Sequence, residues 1–323
     1  MTAILRPKAL RAGDLVAVAA LSGGLEESEV SLFERGVEAI EQMGFAVSVS
    51  PLVDVDRRWW WAAAKPREVA EEFNRLLRDP QVRAIFALTG GRFTWSYFDL
   101  IDLDAVRGDP KPVLGFSDVS TLQLALHAQT GLVTIHGDLV THGFGYWHEA
   151  DEARRKHLAD TYLRVLTGHD AAARLPPAGE WESWRPGRAQ GHLIGGMLNR
   201  LVRIQATPYA LSPERFDGAI LFWEEAFTSS AAVWNDLHVL RYAGVLDRIA
   251  GMVVGPASQI EPTEGGPDHL RDLVLDVLGG RDIPVLGNVD IGHDPPNIPL
   301  PLGIRAEVDA DAGTLSLLES AVS

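Results

Sequence analysis

The strongest constraint on how this chain folds is a rhythm in its first third, where short, wholly apolar runs alternate with longer stretches of helical periodicity. Residues 15–20 (LVAVAA) read as a buried strand closed by Ser22, Gly23 and Gly24, residues 30–43 as an amphipathic helix ended by Gly44, and residues 46–49 as a second strand. A helix over 68–77, strands over 82–88 and 113–116 and a helix over 118–129 continue the series. Strands separated by helices in this way form a parallel sheet covered on both faces, so the spacing predicts a doubly wound α/β domain over residues 1–166. Between 167 and 187 the sequence turns to Gly, Pro and Trp (LPPAGEWESWRPG), which predicts a linker. Residues 188–323 then carry apolar runs at 219–223, 251–254 and 285–288, a helical pattern at 268–278 and a β-rich tail over 304–318, the marks of a smaller, β-rich α/β domain.

Composition removes several kinds of function. With 44 acidic against 29 basic residues the formal charge is −15, which repels phosphate backbones and anionic lipid surfaces, so no nucleic-acid polymer or membrane partner is expected. No apolar run approaches the ~20 residues of a membrane-spanning helix, and residues 1–10 lack the apolar core of a signal segment, which makes the cytoplasm the expected location. The chain has no cysteine, so disulfides, thiolate metal sites and cysteine nucleophiles are excluded. Its 89–94 segment, TGGRFT, matches neither a dinucleotide fingerprint nor a phosphate loop, and no cofactor is expected.

Chemistry must then rest on oxygen and nitrogen groups. Ser117 ends the 113–116 strand and runs directly into a helix, a sharp turn that lifts a hydroxyl above the sheet edge and backs it with free helix N–H groups. Serine is also a favoured helix cap, and Val119 stands where a G-x-S-x-G elbow has its second glycine. Gly90 and Gly91 follow the 82–88 strand at the carboxyl edge where open α/β sheets bind ligands; they suit half of an oxyanion hole or an ordinary turn. Glu224 and Glu225 close the 219–223 run, where a carboxylate can orient a histidine, and His293 lies in the proline-rich GHDPPNIPLPLG, a stiff loop suited to a general base. A rival set, His136, Asp138 and His142 in IHGDLVTH, has metal-ligand residue types but no established zinc spacing. The Trp59–Trp60–Trp61 run, Trp181 and Trp184 suit either a pocket wall or a packing interface.

These segments together resemble the LD-carboxypeptidase family of serine peptidases, which includes the microcin C self-immunity proteins. The likeness runs from GDLVAVAALSG through DPQVRAIFALTGG, VLGFSDVS, GHLIGGMLNRL and ILFWEE to IPVLGNVDIGHDPPNIPLPLG, nearly the whole chain, and its GFSD, FWEE and GHxxPNxxLPLG blocks are specific in that order. The resemblance implies an active site in a cleft between an α/β N-terminal and a β-rich C-terminal domain, no metal, a small peptide-like substrate and frequent homodimers. It implies a nucleophile at Ser117, a triad completed by Glu224 and His293, and an oxyanion hole from Gly90 or Gly91 with the Asp118 amide. Two departures bear on substrate. Thr89-Gly90-Gly91-Arg92-Phe93 replaces the R-G-G-Y-G of many cell-wall-recycling members and is closer to the immunity branch, and Met197 stands where the family's G-G-N-L has asparagine. Arg92, Trp184 and Met197 are the expected substrate contacts, and Arg185 is a second candidate for holding a carboxylate.

Overall fold

A computed structural model describes residues 3–169, 172–175, 177, 179–257, 259–267, 269–294 and 297–323. Its first five strands are β1 (Leu15–Ala19), β2 (Ala46–Val49), β3 (Val82–Ala87), β4 (Val113–Gly115) and β5 (Ile135–His136). They pair in parallel in the order β5-β4-β3-β1-β2, the doubly wound order that changes direction between β1 and β3. The helices here are α1 (Val30–Gln42), α2 (Pro66–Arg78), α3 (Leu103–Gly108), α4 (Val119–Thr130) and α5 (Glu152–Thr167). The expected elements of this half all form. Helix α2 starts with Pro66 at a first-turn position and carries Arg75 and Arg78 in its last turn, where cations suit the helix dipole. Helix α4 is buried almost all round, because it lies between the two halves of the molecule, packed on residues 188–204 of the second.

The second half contains β6 (Arg174–Leu175), β7 (Glu182–Arg185), β8 (Arg188–Met197), β9 (Ile220–Glu224), β10 (Thr228–Ser229), β11 (Gly251–Val254), β12 (Ile260–Glu261), β13 (Val285–Gly287), β14 (Leu300–Pro301), β15 (Arg305–Asp309) and β16 (Thr314–Leu317). Helices α6 (Leu198–Ile204), α7 (Ser230–Tyr242) and α8 (Leu270–Leu278) complete it; the expected start of α8 at Asp268 lies outside the described residues. Eight strands form one sheet in the order β6-β16-β15-β8-β9-β11-β13-β7. The long β8 serves two neighbours: residues 188–192 pair with β15 antiparallel and 193–197 with β9 parallel. This half is smaller in residues than the first but has the wider sheet.

Two expectations about boundaries are corrected. The 167–187 segment is no free linker: β6 pairs with β16 and β7 with β13, so it forms both outer edges of the second sheet. Its tryptophans explain the pairing, since Trp184 is buried against Gly287, where any side chain would collide with the indole ring. The halves also interlock. Strand β14 returns to the first sheet and pairs antiparallel with β5, Leu300 opposite His136. No helix among the described residues is long and apolar enough to cross a membrane.

Candidate active site

The two sheets meet at the carboxyl ends of β4 and β9. Strand β4 stops at Gly115, Phe116 is buried, and Ser117 takes φ +62°, a left-handed conformation that a serine adopts only when its surroundings impose it. The next residue already has helical backbone angles, so the seryl side chain is lifted off the sheet. Ser117 does not cap α4. Its Oγ lies 3.0 Å from Nε2 of His293, and Nδ1 of that ring lies 2.7 Å from Oε2 of Glu224.

Each partner is held from behind. Glu224 is the last residue of β9, a strand apolar on both faces and flanked by parallel neighbours, and its carboxylate is 1% exposed. The His293 ring follows Gly292 (φ +121°), where an added Cβ would lie 2.9 Å from the Glu224 Cβ; glycine there lets the loop close onto the acid. Phe116 and Phe227 pack edge-on to the ring, with centroids at 4.9 and 5.2 Å. The Pro295–Pro296 pair expected to stiffen this loop lies outside the described residues. Burial pushes the His293 imidazole down, but the charge and hydrogen bond of Glu224, with Glu225 beyond, more than offset it and leave the group above its ordinary 6.5.

Gly90 and Gly91 sit where the sheet order reverses. Gly23 N–H, after β1, donates to Gly90 O at 2.8 Å, which closes the loop after β3 against the loop after β1. A Cβ on Gly90 would lie 2.9 Å from Ser117 Oγ, and one on Gly91 (φ +145°) 2.5 Å from Ser22 Oγ, so backbone approaches the seryl oxygen where only glycine fits. The Gly90, Gly91 and Asp118 amides donate to no protein acceptor among the described residues. Asp118 itself is fully buried, and its Oδ2 accepts from Ser22 Oγ (2.7 Å), Phe93 N–H (2.6 Å) and Thr94 N–H (2.9 Å).

Against the glycine loop a cleft of about 990 Å³ opens to solvent. Arg57, Arg58, Trp61 and Arg92 line it, and the Trp61 indole N–H donates to Arg92 O at 3.1 Å. Of the expected substrate contacts, Arg92 lines this cleft. The other expected contacts do not. Trp184 is buried in the second sheet with its indole on Glu182. Met197 is buried between the halves, its amide donating to Ser120 Oγ at 3.3 Å. Arg185 donates to the Gly279 and Arg281 carbonyls at the end of α8.

The rival metal set does not converge. His136 is buried between the rings of Phe116 and Phe222, and burial pulls it down to about 4. Asp138 accepts from Trp147 Nε1 and from the Asn297 backbone and side-chain amides, while His142 faces Glu29 at 3.2 Å. Among the described residues no group of three or more His, Asp or Glu side chains is arranged to hold a metal ion. Sequence reasoning passed over Phe227, 72% exposed beside His293, and Arg200, buried on α6. The signal for Arg200 was an arginine inside the apolar run LNRLVRI.

The family model described as the LD-carboxypeptidase N-terminal domain matches residues 16–137, and that of the C-terminal domain matches 190–308. The chain is 27% identical to the microcin C7 self-immunity protein MccF of Escherichia coli, over 97% of this chain and 96% of that protein. It is 28% identical to a Bacillus subtilis protein named "probable murein peptide carboxypeptidase", over 98% of this chain and 95% of that protein. The solved structure of MccF in complex with glutamyl sulfamoyl guanosine superimposes with a TM-score of 0.88, at 25% identity, over 99% of this chain and all of that one.

Proposed function

The chain belongs to the LD-carboxypeptidase family of serine peptidases, and from that premise we propose that it hydrolyses a terminal amide of a small peptide-like substrate through Ser117, His293 and Glu224. The observation that carries this reading is the continuous contact from Ser117 Oγ to His293 Nε2 to Glu224 Oε2, at 3.0 and 2.7 Å. His293 Nε2 takes the seryl proton as Oγ attacks the amide carbon, while Glu224 accepts the Nδ1–H hydrogen bond and stabilises the imidazolium that forms. The oxyanion is met by the Asp118 amide at the head of α4 and by the amide of Gly90 or Gly91. His293 returns the proton to the leaving amine as the C–N bond breaks. Water activated by the same ring then attacks the acyl-enzyme, and Ser117 regains its proton.

A carboxypeptidase must recognise a free carboxylate, and Arg92 on the cleft wall has the charge and the exposure to do so. Two substrate classes fit the wall: a muropeptide tetrapeptide losing its terminal amino acid, and a microcin-type aminoacyl or peptidyl nucleotide, whose base can stack on Trp61. The formal charge of −15 supports a small-molecule substrate and no polyanionic partner, and the cytoplasm stays the proposed location. A homodimer follows from the family resemblance, and light scattering after gel filtration checks it. The deciding experiment is mass-spectrometric detection of product from a muropeptide tetrapeptide and, separately, from an aminoacyl sulfamoyl adenylate, with Ser117→Ala as control. Cleavage that disappears in the variant supports the reading and selects the substrate; equal turnover by the variant overturns Ser117 as nucleophile.

A further inference from the structure

The glycine loop and Asp118 belong to the first half of the molecule, yet one buried side chain of the second half touches both the loop and the Asp118 carboxylate. Arg200, on α6, is 6% exposed. Its Nε lies 3.2 Å from Asp118 Oδ1, an ion pair whose angle falls short of a hydrogen bond, and its Nη2 donates to Gly91 O at 3.3 Å. We infer that Arg200 is a positioning residue that holds the two halves of the oxyanion hole in register. This inference rests on the serine mechanism proposed above.

In a trans peptide the C=O and the following N–H point in opposite directions, so a carbonyl held from one side aims the next amide to the other. Gly23 N–H holds Gly90 O, which turns the Gly91 N–H away from the β1 loop. Gly91 O is held in turn by Arg200. Gly91 has no side chain to restrain it and takes φ +145°, so without such anchors this loop has more freedom than any other residue type would allow. The second arm of Arg200 acts on the other donor. Asp118 gathers Ser22, Phe93 and Thr94 on Oδ2, and Thr94 Oγ1 donates to Asp118 O at 3.0 Å. Arg200 supplies the only cation within ion-pair distance of this buried carboxylate among the described residues.

Arg200 is itself fixed to the acid strand. Glu225, directly after Glu224, accepts from the Asn199 backbone amide at 2.8 Å and from its side-chain amide at 3.0 Å, clamping the first turn of α6 to the end of β9. A path of contacts thus runs from β9 through Glu225, Asn199 and Arg200 to the loop and turn that face Ser117. Lysine cannot reproduce it, because one ammonium cannot keep the planar two-armed geometry that reaches a carboxylate and a carbonyl at once.

The test uses the full chain and a fluorophosphonate, whose reaction with Ser117 needs the oxyanion hole but no knowledge of the natural substrate. Arg200→Met is expected to label ~10–100-fold more slowly, a fraction of what losing one oxyanion donor costs, and Arg200→Lys to fall between it and the unsubstituted chain. The acid limb of the labelling rate should stay where it is in both, since the His293–Glu224 contact is untouched. Because Arg200→Met strands a buried carboxylate and can fail to fold, the double variant Arg200→Met/Asp118→Asn removes both charges; it should melt close to the unsubstituted chain and still label slowly, because Gly91 O remains unheld. Folded Arg200 variants that label at the unsubstituted rate overturn this inference alone. An unsubstituted chain that is not labelled, or is labelled equally in Ser117→Ala, overturns the serine mechanism and this inference with it.

Discussion

The floor of the site and its wall are built in opposite ways. The floor is buried and over-determined: Ser117 is held at φ +62°, Asp118 is fully enclosed with three donors on one oxygen, and glycines stand wherever a Cβ would strike the machinery. The wall is exposed and loosely tied: Trp61 is 58% exposed, and Arg58 reaches Glu26 only at the surface. Chemistry that demands placement within a few tenths of an ångström is set where packing fixes every rotamer, whereas recognition is set where side chains can adjust. The floor should therefore govern kcat and the wall KM.

The largest effect expected is at the seryl oxygen. Ser117→Ala should lower kcat by ~10³–10⁶-fold with KM little changed, as loss of a triad nucleophile does; steady-state kinetics on the cleaved substrate check it, and a modest loss would break the division at its centre. Glu224→Gln should cost ~10³–10⁴-fold and also move the pH profile. His293 must be neutral to accept a proton, and Glu224 is what holds it above its ordinary 6.5 against burial. The acid limb of kcat/KM should therefore lie above pH 6.5 in the unsubstituted chain and shift down in the variant, where burial acts almost unopposed. The same raised imidazole stabilises the fold below pH 6.5, and that contribution fades as pH rises through its folded value.

Gly90→Ala comes next. Its methyl would lie 2.9 Å from Ser117 Oγ, so a ~10–100-fold fall in kcat is expected from displacement of the reacting atom, with a thermal melt close to that of the unsubstituted chain. The smallest effects belong to the wall. Trp61→Ala and Arg92→Ala should raise KM by ~3–30-fold with kcat nearly unchanged, the signature of binding shared equally by ground and transition states. If either lowers kcat as much as it raises KM, wall and floor are not separate.

Much of this is legible in the amino-acid sequence. The apolar runs gave the parallel strands because both of their faces are covered, and the turn at Ser117 was readable because a strand, a serine and a helix adjoin without a spacer. Gly90 and Gly91 were readable as a place of close approach. The misreadings share one cause. Trp184 and Arg185 were assigned to substrate from their chemistry and Met197 from its place in the G-G-N-L block, but a tryptophan covers a core glycine, a buried amide meets a serine, and an arginine ends a helix as readily as each meets a ligand. The 167–187 segment looked like a linker because Gly and Pro punctuate it, although edge strands tolerate both.

The sequence by itself determined the local conformations and the residue types available: which runs are strands, where a serine meets a helix, which positions admit only glycine, and that oxygen and nitrogen must do the chemistry. Only the tertiary structure decided that Ser117, Glu224 and His293 meet, since they are separated by up to 176 positions and come together through β9, a glycine-hinged loop and the packing of two sheets. It alone decided that Arg200 crosses from one half to the other, and that three candidate ligands of a metal point apart. Local physics acts over the few residues within reach of one peptide, whereas a site assembled from distant segments depends on which faces are buried together.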